Sequence, residues 1–210
     1  MHLTLHTDYA LRVLLYLRLR EDGKSTIQEI ADAYGISKRE GEMVLLEVAA
    51  DSSMEAVILR APLVYGPGVK GNFLRLLQLV DLGLPLPLGG IANRRSLVAR
   101  ANLAPALRLC VEREAAAGQT FLIADGEDLS TAELVRRLAR ALGRPARLFP
   151  VAPRFLCAAG AALGRARQMA RLTGDLAVDS SLLRSRLGWR PAVSIDEALA
   201  ETAAWYRLAH

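Results

Sequence analysis

Residues 56–71, AVILRAPLVYGPGVKG, decide the fold. The run Ala56-Val57-Ile58-Leu59 is short, continuous and apolar, as a buried strand is. Pro62, Gly66, Pro67, Gly68 and Gly71 follow it and mark a loop. Downstream, the spacing of apolar residues predicts a helix over 72–82, a turn-rich loop over 85–95 centred on Gly89-Gly90, and a helix over 102–114. A strand is expected over 119–124. Ser130-Thr131-Ala132-Glu133 is a capping box that opens a helix ending at Gly143. A short strand is expected over 148–151, then helices over 153–172, 180–187 and 195–208. Alternation of this kind indicates an α/β, helix-rich fold.

Upstream the grammar is different. Residues 8–20, DYALRVLLYLRLR, place apolar residues at 10, 11, 14, 15 and 17, a helical period with Asp8 at one end and Arg18 and Arg20 at the other. Thr26 to Glu29 and Ser37 to Glu40 are two further capping boxes, separated by Gly35. Two capped helices around a short glycine turn form a helix-turn-helix, and Lys38 and Arg39 are its candidates for phosphate contact. The expected organisation is a small helical segment over 1–50 and an α/β unit over 51–210.

Composition narrows the classes. The chain has 210 residues, 52% of them hydrophobic, and a net charge of +5. Lysine occurs only at 24, 38 and 70, so the positive charge is almost all arginine, which suits bidentate phosphate binding. No apolar run reaches the roughly 18 residues of a membrane span, and Asp8 and Arg12 interrupt the apolar positions a signal peptide would need. A cytoplasmic protein with no membrane partner is expected. Cys110 and Cys157 fall among Leu and Ala and read as small buried hydrophobes. No metal-ligand spacing is present.

Two resemblances follow from these motifs. LTLHTDYALRVLLYLRLREDGKSTIQEIADAYGIS, about residues 1–37, resembles the start of the winged-helix regulators that include the iron–sulfur cluster assembly repressor and the nitric-oxide-sensing repressor. From Tyr34, the segment YGISKREGEMVLLEVAADSSMEAVILRAPLVYGPGVKGNF is similar to the extended short-chain dehydrogenase/reductases, in their sugar-nucleotide epimerase/dehydratase branch. NRRSLV at 93–98, ADGEDLSTAEL and LGWRPAVSIDEAL continue that likeness in order to Tyr206. It implies a Rossmann-type C-terminal half. It also implies Tyr34 and Lys38 as the catalytic pair, the lysine lowering the tyrosine pKa and holding the nicotinamide ribose. Asn72 and Arg95 would bind the nucleotide diphosphate of a UDP-sugar.

The two likenesses meet at Ala33-Tyr34-Gly35-Ile36-Ser37, so the sequence reads as a chimera joined at a shared string. The glycine-rich fingerprint expected well before Tyr34 is not found. The favoured expectation is therefore a truncated Rossmann half, non-catalytic and without a cofactor. It would bind a protein partner, as a regulator or antitoxin does, or self-associate through an exposed sheet edge beside 56–60. One alternative is an NAD-dependent sugar-nucleotide epimerase or dehydratase, degenerate or completed by a second chain. The other is a DNA-binding regulator.

Overall fold

The computed structural model describes residues 12–18 and 38–209. Strands β1 (Arg12–Arg18), β2 (Glu55–Ala61) and β5 (Thr120–Leu122) form one sheet in the order β1-β2-β5. Strands β3 (Leu63–Tyr65), β4 (Arg95–Ala99) and β6 (Asp128–Leu129) form a second, in the order β3-β4-β6. The β2/β5 and β3/β4 pairs are parallel, whereas β1 and β6 join antiparallel. The helices are α1 (Lys38–Ala50), α2 (Gly71–Asp81), α3 (Arg100–Glu112), α4 (Thr131–Ala141), α5 (Pro153–Ala162), α6 (Ala166–Thr173), α7 (Ser181–Leu187) and α8 (Ile195–Ala209). The expected α/β, helix-rich class and its Rossmann-like parallel pairing are present.

The apolar run at 56–59 is buried on both faces of β2. Ala56 and Ile58 pack with Leu45 of α1, while Val57 and Leu59 join Phe121, Ala106, Leu183 and Trp189. A separate core lies between α2, α4 and α8, where Phe73, Leu77, Leu97, Leu138 and Leu199 meet. Each such side chain contributes roughly 1.5–3 kcal/mol of burial. Helix α4 starts as its capping box predicts: Ser130 Oγ accepts from the Glu133 N–H at 3.0 Å. It ends at Gly143, whose φ of 64° suits glycine, with the Arg144 N–H donating to the Ala139 carbonyl. Cys110 is buried and its thiol is pushed up to about 11 by desolvation, whereas Cys157 is half-buried.

Several expectations are corrected. The helix expected over 8–20 is a strand where described, pairing Arg12–Arg18 with Ala61–Glu55 in unbroken antiparallel register. RVLLYLR satisfies either period locally; pairing with the edge of β2 satisfies backbone donors and acceptors that a packed helix would leave unmet. Of the expected helix-turn-helix, the helix opened at Thr26 and the turn around Gly35 lie outside the described residues, whereas the helix opened at Ser37 is α1, Lys38–Ala50. The edge of β2 expected to be exposed for association is occupied by β1. Strand β4 falls where a loop was expected to run into a helix. The single helix over 153–172 is two, broken at Gly164 with φ 67°. Residues 148–151 contribute only a bridge, Leu148 to Leu86. Among the described residues no helix is long and apolar enough to cross a membrane.

Candidate functional site

The sequence Asn93-Arg94-Arg95-Ser96 opens β4, and each of its residues fastens the segment 171–178. Asn93 Nδ2 donates to the carbonyls of Leu172 and Gly174, at 3.2 and 2.9 Å, and its Oδ1 accepts from the Thr131 N–H at 2.8 Å. The Arg94 N–H donates to Asp175 Oδ1 at 2.8 Å, and its guanidinium pairs with Asp128 at 2.9 Å. Ser96 Oγ donates to Asp128 Oδ1 at 2.6 Å and accepts from the Val178 N–H at 2.8 Å. Arg95 Nη1 donates to the Arg171 carbonyl at 2.6 Å. Two arginines from separate elements, β4 and α6, are thereby held beside one another, Arg95 buried at 7% exposure and Arg171 half-buried. A guanidinium held on fixed backbone suits a polyanionic group such as a diphosphate, whose oxygens accept bidentately.

A second polar hub fixes the C-terminal ends of β3 and β4. Tyr65 donates to Asp125 Oδ2 at 3.0 Å, and Asp125 also accepts from the Ala99 N–H and from Asn102 Nδ2. Asn102 is fully buried; it donates to the Val193 carbonyl and accepts from the N–H groups of Ala192 and Val193. Burial raises the Asp125 pKa, against the lowering by its hydrogen bonds with Asn102, Ala99 and Tyr65. Burial also raises the Tyr65 pKa, and the Asp125 charge adds to it. A phenol so placed keeps its proton and acts as a fixed donor. Tyr65 stacks on Phe73, with ring centroids 5.5 Å apart, and so steadies the loop that leads into α2.

The described residues expected at the site belong to three elements, α1, α2 and β4. Tyr34 lies outside the described residues. Lys38 and Arg39 form the first described turn of α1. Asn72 is exposed in the first turn of α2, whose N-cap residue Lys70 makes no side-chain cap bond. Arg95 opens β4 and meets Arg171, a residue that the sequence pattern did not single out. A cleft of about 470 Å³ lies between the loop at 124–128 and α7, with Arg184, Asp179 and Ser185 in its wall.

A dinucleotide needs a glycine turn whose N–H groups face its pyrophosphate. Among the described residues, Gly66, Gly68 and Gly71 have that spacing, between β3 and α2. The room at Gly66 is already used, since a Cβ there would lie 3.0 Å from the Cβ of Arg100, and at Gly68 the Arg100 guanidinium stands at ordinary contact distance, 3.7 Å. This turn therefore serves the approach of α3, and the described residues do not fit a dinucleotide cradle.

Comparison with known proteins places these features in a family. The NAD dependent epimerase/dehydratase family matches residues 20–124. UDP-glucose 4-epimerase of Vibrio cholerae is 47% identical over 173 residues, covering 82% of this chain and 53% of the relative. The 2-alkyl-3-oxoalkanoate reductase of Stenotrophomonas maltophilia is 29% identical over 189 residues, covering 81% and 57%. The chain thus spans about half the length of the curated relatives it matches. Among solved structures, the Thermus thermophilus UDP-glucose 4-epimerase complex with NAD aligns at TM-score 0.63 and 23% identity over 82% of this chain and 53% of that one. An epimerase from Methanothermobacter thermautotrophicus aligns at TM-score 0.66 and 20% identity over 83% and 50%. These two likenesses concern the fold.

The family match covers residues 20–124, a range that includes Ala33 to Ser37. It supports the dehydrogenase likeness and lends nothing to the winged-helix likeness of residues 1–37. The matches also favour the enzyme-family alternative over a non-catalytic, cofactor-free regulator. The chain belongs to the NAD dependent epimerase/dehydratase family.

Proposed function

We propose that this chain carries the sugar-nucleotide side of an NAD-dependent epimerase or dehydratase, with a UDP-hexose as its substrate class. The observation that carries the reading is the Arg95–Arg171 pair in a chain 47% identical over 173 residues to a UDP-glucose 4-epimerase. Arg95 and Arg171 would bind the diphosphate, with Asn72 donating to the same nucleotide from the first turn of α2. Tyr34 and Lys38 would be the proton-exchanging pair. When bound, NAD supplies reversible hydride transfer at a sugar carbon. Its pyrophosphate would have to be held by residues other than those described. What this chain's own residues do is hold a diphosphate and orient the sugar beside α1.

Calorimetric titration with UDP-glucose tests the reading. Saturable binding that competes with UDP is the expected result. A folded chain with no heat of binding for either ligand would overturn it. Where turnover accompanies added NAD, Tyr34→Phe is expected to abolish it.

A further inference from the structure

Among the described residues Glu42 is the least exposed acidic residue, at 5% exposure. Its carboxylate meets Arg60 of β2 fork to fork: Nε donates to Oε1 at 3.2 Å, and Nη2 is paired with Oε2. Arg60 is a rigid anchor. Its main chain pairs with Val13 on one side and Leu122 on the other, and its carbonyl accepts from the Ile123 N–H at 3.1 Å. Glu42 lies on the inward stripe of α1 with Leu45 and Ala49. Lys38 precedes Glu42 by one helical turn in the same helix.

The apolar contact between α1 and β2 is small. Leu45 and Ala49 on Ala56 and Ile58 hold the helix against the sheet, but contacts among small and aliphatic groups permit roll and sliding. A bidentate ion pair does not, because both oxygens and both nitrogens must stay coplanar. Stability alone is a weak reason for the pair, since a buried ion pair can be replaced by apolar residues with little or no loss of stability.

We infer that Glu42 and Arg60 are positioning residues: their ion pair fixes the roll and register of α1 on β2, and thereby places Lys38 relative to the strand that leads through Pro62–Gly71 to Asn72. The inference rests on the proposed function for the role of Lys38. The pair joins the helix that carries Lys38 to the strand that leads towards Asn72.

The test uses the full chain, with Glu42→Gln as a near-isosteric variant and Glu42→Met/Arg60→Leu as an apolar replacement. Amide hydrogen exchange reads α1. Magnetic resonance of isotope-methylated lysines reads Lys38 against Lys24 and Lys70 as internal references. In both variants, amides at 38–45 are expected to exchange about tenfold faster, the factor that a lost charge-assisted hydrogen bond implies. The Lys38 resonance moves while those of Lys24 and Lys70 hold. The double variant keeps its Tm within roughly 5 °C of wild type. A folded variant with unchanged α1 exchange and an unmoved Lys38 resonance overturns the inference. So does loss of the fold in both variants, which would make the pair structural only. Failure of the proposed function appears separately, as a wild-type chain that does not bind UDP-glucose.

Discussion

Arg95 Nη1 donates to the main-chain carbonyl of Arg171 at 2.6 Å, joining the first residue of β4 to the last turn of α6. The bond makes one arginine the support of the other. Arg171→Ala is therefore expected to remove a guanidinium from the proposed diphosphate site while leaving the Arg95 contact to the residue-171 carbonyl in place. UDP-glucose affinity should fall by about tenfold to a hundredfold, the worth of one or two charge-assisted bonds. Calorimetry against an unchanged Tm measures it. An unchanged affinity would take Arg171 out of the site.

Asn102 exerts its effect through stability. Its side chain is fully buried and spans Asp125, Ala192 and Val193. Asn102→Leu leaves those partners without their bonds, which costs roughly 2–4 kcal/mol as several buried groups lose partners. Urea unfolding reads this as a lower midpoint. A change within about 0.5 kcal/mol would mean that water replaces the side chain at little cost.

Asp125 predicts a pH dependence. Burial, the largest cause, raises its native pKa above the ordinary carboxylate value. A group with a raised native pKa binds its proton more tightly when folded. Its contribution is full below the unfolded value and is lost as pH rises through the native one. Asp125→Asn lacks this titration. The stability difference, wild type minus variant, should therefore decrease as pH rises from about 4. Thermal melts across that range measure it, and a difference that grows with pH would contradict the raised value.

Gly90 predicts a steric effect. A Cβ there would lie 2.4 Å from the carbonyl oxygen of Val151. The neighbouring chains are tied by Leu86 N–H to Arg147 carbonyl, Phe149 N–H to Leu86 carbonyl and Gly89 N–H to Phe149 carbonyl. Gly90→Ala must push them apart, costing about 1–3 kcal/mol by the cost of overpacking. The same substitution at Gly118, where nothing lies within 4 Å but φ is 68°, carries only the backbone strain. Comparing the two variants by Tm separates crowding from conformation.

The legible parts of the fold were those written locally. The run at 56–59 reads as a buried strand because no helix alternates so little, and Ser130 with Glu133 marks a helix start that the structure reproduces in its cap bond. Strand β1 was not legible: RVLLYLR has apolar residues at both helical and alternating positions, and a partner strand distant in sequence, with Arg18 opposite Glu55 and Arg12 opposite Ala61, selects between them. Strand β4 was masked by Arg95 and Ser96, polar residues that a buried strand tolerates only because segment 171–178 supplies their partners. For the site, the motif NRRSLV pointed to Arg95, but Arg171 lies in an arginine-rich stretch with no local mark. Only the fold of α6 onto β4 distinguishes it. Glu42 carries no local mark either: only β2, which places Arg60 opposite it, distinguishes it from the other glutamates of α1.

Titration of the wild-type chain with UDP-glucose, in the presence and absence of NAD, tests the central claim most directly. The account predicts saturable UDP-glucose binding without added NAD, because the arginine pair belongs to this chain and is held by its own backbone. Absence of UDP-glucose binding by the folded chain under both conditions would contradict it.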